Sequence, residues 1–323
     1  MQNNFWQNLK DQTGREERPI LALAPMAGIT DSAFRVMCKK YGADVVYSEM
    51  ASVNALVYAP EKTLEMLAFE EVERPYVVQL FGSEPRHFEI ATKIIEEKIK
   101  PDGIDINFGC PVPKVAKQEA GAELFKNLKK SKDVIKAVLN STELPVSIKF
   151  RKKVGEMDAM TFLKNISGLD IKAIMIHGRD FKQMHSGPVD AEVIRQARDY
   201  FSGTILANGG VKDADSGLRL RHDSRADGIG IGQGALGRPW LFKFIKSQVH
   251  QVYQVDKEEL FKVIFEHCEL MQKNKGPQGL IEMRKHLCWY VQGFPNAARL
   301  RERLVKVETL QNVLDVFQEI SRN

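Results

Sequence analysis

Tyr76-Val77-Val78-Gln79-Leu80, a turn at Phe81-Gly82-Ser83, a helix-periodic stretch from Glu84 to Ile99, and then Gly103-Ile104-Asp105-Ile106-Asn107: the reading of this segment decides the fold. Two short apolar runs flank a helix in which Phe88, Ala91, Ile94, Ile95 and Ile99 recur at spacings of three and four, the pattern of one parallel β/α unit. The same pattern repeats on both sides. Ile20 to Ala24, Ala43 to Tyr47, Val146 to Phe150, Ala173 to His177, Thr204 to Asn208 and Gly228 to Gly232 bring the runs to eight, the number that closes a barrel. Asp31, Ser83 and Asp190 are expected to cap the helices that follow them. The reading is an α/β chain with a (β/α)8 TIM barrel over residues 1–240. After Gly237-Arg238-Pro239-Trp240 no strand-like run follows, so a C-terminal all-helical domain is expected over 241–323.

The composition agrees with a folded globular protein. Of 323 residues, 43% are hydrophobic and 28% charged, far from the low-hydrophobicity, high-charge signature of disorder. A net charge of +5 suits a polyanionic partner but also suits many enzymes that have none. Cys38, Cys110, Cys268 and Cys288 lie far apart without Cys-x-x-Cys spacing, so reduced thiols and no metal site are expected. The N-terminus lacks the apolar core of a signal peptide and no apolar run approaches ~20 residues; a soluble, cytoplasmic, monomeric protein without membrane contact is the expectation.

In a barrel the chemistry sits at the C-terminal strand ends. Those ends carry Pro25-Met26-Ala27-Gly28, Ser48-Glu49-Met50, Gln79, Asn107 to Cys110, Lys149 with Arg151, His177 with Arg179, Asn208-Gly209-Gly210 and Gly232-Gln233-Gly234. Glycines after the seventh and eighth strands let backbone amides approach an anion. They serve equally for tight turns, but both loops in these strands favour phosphate. Gln79, Lys149 and His177 end three strands and can converge on a planar ligand. Lys149 can hold the anionic edge of a reduced flavin, form a Schiff base, or pair with a rim carboxylate. Cys110, on a loop before Pro111, is either inert packing or, as a thiol with an ordinary pKa of ~8.5, a general acid at neutral pH. Pro277 to Lys306 carries a local excess of four positive charges around Arg284, Lys285 and Arg299, interleaved with His286, Trp289 and Tyr290. That is either a solvated helix face or a surface for RNA phosphates and bases.

Taken together, Ala24-Pro25-Met26-Ala27-Gly28, Gln79-Leu80-Phe81-Gly82, Asp105-Ile106-Asn107-Phe108-Gly109-Cys110-Pro111, His177-Gly178-Arg179 and Gly232-Gln233-Gly234-Ala235-Leu236-Gly237 closely resemble the tRNA-dihydrouridine synthases. The run Arg284-Lys285-His286 to Trp289-Tyr290, with Gly293 and Ala297-Ala298-Arg299, is similar to the helical tRNA-recognition domain of the bacterial B-type branch. The resemblance implies FMN on the rim: Pro25, Met26 and Ala27 beside the ring, Gln79, Lys149 and His177 bonding it, and Asn208, Gly209, Gly232 and Gln233 at its phosphate. It implies NADPH as electron donor, tRNA as partner, and hydride delivery to C6 of a flipped-out uridine with Cys110 protonating C5. Asn107, Arg151 and Arg179 would bind the base, and Arg284, Lys285 and Arg299 the RNA. Gly210, Gln233 and His185 depart from the pattern, where Asp, Arg and Tyr are common. A lost arginine removes a contact of ~1.5 to 3 kcal/mol, so weaker FMN binding is expected. Two other readings are a flavin barrel acting on a small pyrimidine such as dihydroorotate, which needs no basic helical tail, and a tRNA-binding folding factor with a vestigial flavin site.

Overall fold

The computed structural model describes residues 4–248 and 256–322. Eight parallel strands close a barrel: β1 (Ile20–Leu23), β2 (Val45–Ser52), β3 (Tyr76–Phe81), β4 (Gly103–Phe108), β5 (Val146–Arg151), β6 (Ala173–His177), β7 (Thr204–Asn208) and β8 (Gly228–Ile231), each bonded to its sequence neighbours and β8 to β1. A two-stranded excursion, Lys153–Val154 with Met157–Asp158, follows β5.

Strand side chains alternate, and the register sorts them into two sets. One set faces the surrounding helices in a continuous apolar layer that includes Leu21, Val78, Ile106, Ile148, Ile174 and Ile229. The other points into the barrel. Its lower part is apolar: Ile20, Ala22, Val45, Tyr47, Val77, Ala173, Met175 and Leu206 form one cluster, and Trp6 of α1 (Phe5–Arg15) packs into it. Its upper part is polar, because Gln79 aligns with Asp105 and Asp105 with Ser147, while one layer higher Asn107 aligns with Lys149. Arg151 aligns with His177, and His177 with Asn208. Polar groups are thus gathered at the C-terminal mouth by strand period alone.

Two expectations are corrected. The second strand starts at Val45 and runs on to Ser52, with a register shift between Tyr47 and Met50; there the Ser48 hydroxyl accepts from the Gln79 amide at 2.9 Å, so a side chain replaces a ladder carbonyl and pairing resumes beyond. Ser83 is not a cap: Glu84 precedes α3 (Pro85–Lys98) without a side-chain cap bond, because Pro85 sets the first helical φ itself. Asp31 does cap α2 (Ser32–Lys40) through the Phe34 amide at 3.1 Å, and Asp190 caps α4 (Ala191–Gln196) through Val193 at 3.2 Å.

Beyond the barrel, α5 (Leu241–Lys246) buries Leu241, Phe242 and Ile245 in the barrel's own apolar layer. A second core is built from α6 (Lys257–Lys275), α7 (Pro277–Tyr290), α8 (Ala297–Leu304) and α9 (Leu310–Arg322), and it takes in Ala33 and Met37 of α2. We propose that the division between the two units falls after Lys246. Among the described residues no helix is long and apolar enough to cross a membrane.

Candidate active site

A buried carboxylate organises one side of the barrel mouth. Asp105 accepts from the Ser147 hydroxyl at 2.6 Å and from Gln79 Nε2 at 2.7 Å. With its amide nitrogen so engaged, Gln79 presents Oε1 to Asn107 Nδ2 at 2.8 Å. Asn107 in turn presents Oδ1 to the amides of Gly109 and Cys110 at 3.0 and 2.9 Å. One carboxylate therefore fixes two amide orientations and, through them, the loop that carries Cys110. Burial pushes the Asp105 carboxyl up to about 6. Burial also raises the Cys110 thiol, an effect that a hydrogen bond from the Val112 amide and the charges of Lys149 and Arg151 oppose, so the thiol is protonated at neutral pH. Asp105 and Ser147 carried no assigned role in the sequence. The signal was there: each is a polar side chain at an inward position of an apolar run.

On the next strand, level with Asn107, Lys149 is half-buried and, among the described residues, forms no hydrogen bond or ion pair. Burial, reinforced by Arg151, pushes its ammonium down to about 8. His177 is buried and pushed to about 2, first by desolvation and then by Lys149, Arg151, Arg179 and His185, so its imidazole is neutral. The Arg179 amide donates to His177 Nδ1 at 3.3 Å, which assigns the proton to Nε2. Arg151 Nε donates to the Gly109 carbonyl at 3.1 Å, and its Nη1 to the carbonyls of Asp180 and Met184 at 3.1 and 3.0 Å. Arg179 Nε reaches the Gly187 carbonyl at 2.8 Å. Both arginines thus hold the 180–187 loop over the mouth, and exposed His185 stands on that loop with its ring centroid 6.2 Å from that of His177.

On the remaining arc stand the two glycine loops. Gly209 and Gly210 have φ of +111° and +72°; a Cβ on Gly210 would come within 2.9 Å of Val189, and one on Gly209 within 3.3 Å of the His177 ring. Asn208 Nδ2 donates to the Gly230 carbonyl at 2.7 Å, tying the ends of β7 and β8 together. Gly232 lies against Met26, and exposed Gln233 begins the turn that follows. Half-buried Pro25 and Met26 and exposed Ala27 edge the mouth above β1. An unpaired cation, a neutral imidazole donor and two glycine loops fit a planar anionic cofactor ending in phosphate.

The sequence matches the family model described as Dihydrouridine synthase (Dus) over residues 22–323. The chain belongs to the dihydrouridine synthase family. It is 34% identical over 281 residues to tRNA-dihydrouridine synthase B of Pasteurella multocida (strain Pm70), covering 85% of this chain and 84% of the relative. It is 30% identical over 301 residues to the probable tRNA-dihydrouridine synthase of Aquifex aeolicus (strain VF5), with 92% and 94% covered. Among solved structures, that of TcOYE with pHBA superimposes with a TM-score of 0.53 at 12% identity, covering 76% of this chain and 92% of that one, and shows the shared fold.

As a dihydrouridine synthase the chain is an oxidoreductase, and its helical region holds the other residues singled out in the sequence. Arg284 is half-buried and donates Nε to the Val307 carbonyl at 2.8 Å, with Glu308 at 3.7 Å. Lys285 donates Nζ to the carbonyl of Gly28 in the barrel. Arg299 is exposed on α8. Of the interleaved aromatics, His286 and Tyr290 are not available for stacking on bases: both lie with Leu280, Met283 and Leu287 on the buried face of α7, and only Trp289 is half-buried. The helical spacing of three and four places them inward. Among the described residues no group of three or more His, Cys, Asp or Glu is placed to hold a metal ion.

Proposed function

We propose that this enzyme reduces uridines of tRNA to 5,6-dihydrouridine with FMN and NADPH. The observation that carries the reading is Cys110: a thiol kept protonated by burial, on a loop oriented through Asn107, at the mouth of a barrel that also presents Lys149 and His177. When bound, FMN would supply two-electron hydride chemistry between NADPH and C6 of the uracil. Lys149 and the His177 Nε2 proton would hold the cofactor's pyrimidine edge, Pro25, Met26 and Ala27 its ring, and Asn208, Gly209, Gly232 and Gln233 its phosphate, while Gln79, its amide engaged by Asp105 and Asn107, would act by orienting Asn107. Cys110 donates its proton to C5, general acid catalysis of the kind that contributes ~10² to 10⁴ in rate. Arg151 and Arg179 have further N–H groups beyond those that hold the 180–187 loop, and these would grip the carbonyls of the base. Asn107 acts here through Cys110, since both ends of its amide are engaged. A stacked uracil cannot meet a flavin face to face, so the nucleotide must be extruded first. Exposed Arg299 is the phosphate contact of the helical region.

The test is mass spectrometry of tRNA lacking the modification after incubation with the protein, FMN and NADPH. A gain of two hydrogens at a uridine is expected. No product despite a bound, reducible flavin would overturn the tRNA substrate and favour a small pyrimidine.

A further inference from the structure

The loop between β1 and α2 is gripped from the helical region at two points. The Gly28 carbonyl accepts from Lys285 of α7, and Asp31, three residues on, pairs with Lys275 of α6 at 2.9 Å. The Gly28 amide, on the opposite side of the same residue, donates to Glu49 at the register shift in β2. Within the loop the amides of Ile29 and Thr30 return to the Met26 carbonyl at 3.1 and 3.0 Å, and the Thr30 hydroxyl accepts from the Met26 amide at 3.2 Å. Met26 to Asp31 is therefore one closed turn whose outer carbonyl and cap carboxylate are both held by lysines of another structural unit.

The surroundings of Lys285 are unsuited to RNA phosphate. Gly28, which it bonds, lies on a cleft of 710 Å³ whose charged lining is Asp31, Glu49, Glu65, Glu70 and Glu282 with Lys62 and Lys275. Lys275 is already shared between Asp31 and Glu282, the latter at 2.7 Å. The five carboxylates outnumber Lys62, Lys275 and Lys285 together, and a phosphodiester entering here would meet net negative charge. A carbonyl at the edge of an acidic cleft is instead a natural partner for an ammonium.

We infer that Lys285, seconded by Lys275, is a positioning residue that transmits the seating of the helical region to the Met26–Gly28 loop of the cofactor mouth, and is not a tRNA phosphate contact. The inference rests on the flavin reading for its consequence, since Met26 and Ala27 are the residues placed beside the ring, but the clamp itself is a property of the protein alone. Loss of Lys285 frees the Gly28 carbonyl and loosens the turn; tRNA affinity has no reason to change.

The experiment compares full-length wild type, Lys285→Met and Lys285→Arg, with Lys275→Met as a second opening of the same clamp. In flavin-free protein, amide hydrogen exchange of peptides spanning 24–31 is followed by mass spectrometry. Exchange there is expected to quicken about tenfold or more in Lys285→Met and Lys275→Met, as local opening becomes easier, and to return to the wild-type rate in Lys285→Arg. FMN titration is expected to show severalfold weaker binding in Lys285→Met, with tRNA affinity and its salt dependence unchanged. Wild-type exchange rates in both methionine variants would overturn the clamp. So would weaker tRNA binding with a shallower salt slope and unaltered exchange, the mark of a phosphate contact. If wild type binds no FMN the flavin reading fails, while the exchange rates still decide the clamp.

Discussion

At Cys110 the useful property of the thiol is that it keeps its proton, and burial secures this. Removing the sulfur should leave ligand binding intact and remove the acid: Cys110→Ala is expected to bind FMN and tRNA normally and to lose about a hundredfold or more in single-turnover dihydrouridine formation. An unchanged rate would take the role away from it. Lys149 makes the complementary prediction with pH. Its ammonium sits near 8 in the free protein, so it is charged at neutral pH and progressively neutral above. A ligand whose anionic edge rests on that charge binds the protonated form better. FMN affinity should therefore fall as pH rises through about 8, and the fall should be absent in Lys149→Met, whose affinity is lower at pH 7 and flat to pH 9. Fluorescence titration of the flavin-free protein across that range checks both. An equal fall in the variant would assign the dependence to another group.

At the scale of single elements, two arginines that look alike in sequence have different surroundings. On α7 the buried face runs through Leu280, Met283, Leu287 and Tyr290, and Arg284 lies beside it with Nε on the Val307 carbonyl, closing the turn between α8 and α9. Arg284→Ala should cost about 1 to 3 kcal/mol of stability, the usual penalty for a buried acceptor left bare, seen as a lower urea midpoint. Arg299→Ala, exposed on α8, should leave the midpoint unchanged and weaken tRNA binding with a salt slope reduced by about one. The reverse assignment of effects would refute this placement of the RNA surface. The same elements show what sequence conveys and why it stops. All eight strands were legible, since each is an apolar run between turns, and Gln79, Lys149 and His177 stood out as polar residues at their ends. The extension of β2 was not legible, because it depends on the Ser48 hydroxyl taking over a bond across to β3. The role of Asp105 depends on a register that aligns it between Gln79 and Ser147, and that of Lys285 on a carbonyl 257 residues away. Such facts are set by which elements pack together, and no local pattern encodes them.

The whole molecule is joined along α2, whose Phe34 and Cys38 belong to the barrel's layer while Ala33 and Met37 belong to the helical core. At that seam His267 and His286 lie fully buried with ring centroids 4.7 Å apart, and Phe34 rests on both. His267 Nδ1 meets the Tyr290 hydroxyl at 3.1 Å, whereas neither nitrogen of His286 has a partner among the described residues. Burial pushes His267 down to about 4, with Lys285 acting in the same direction and Asp31 against it, and pushes His286 lower still than an ordinary imidazole. The folded seam therefore refuses protons that the unfolded chain accepts near pH 6.5. Between pH 6.5 and 4 the unfolded state binds more of them, so stability falls as pH drops through this window. For His267 alone the loss accumulates to roughly 3 kcal/mol at its lower end. Since the seam joins both cores, the loss should appear in one cooperative transition that barrel and helical probes report together. His267→Gln, neutral at every pH and able to keep a bond to Tyr290, should match wild type at pH 7 within about 1 to 2 kcal/mol and lose most of the decline contributed by this residue. Urea midpoints from pH 7 to pH 4.5, read by fluorescence and circular dichroism, provide the check. If the variant declines as steeply as wild type, the acid sensitivity belongs elsewhere, and if the two probes separate, the barrel and the helical region unfold independently and the seam does not bind them into one unit.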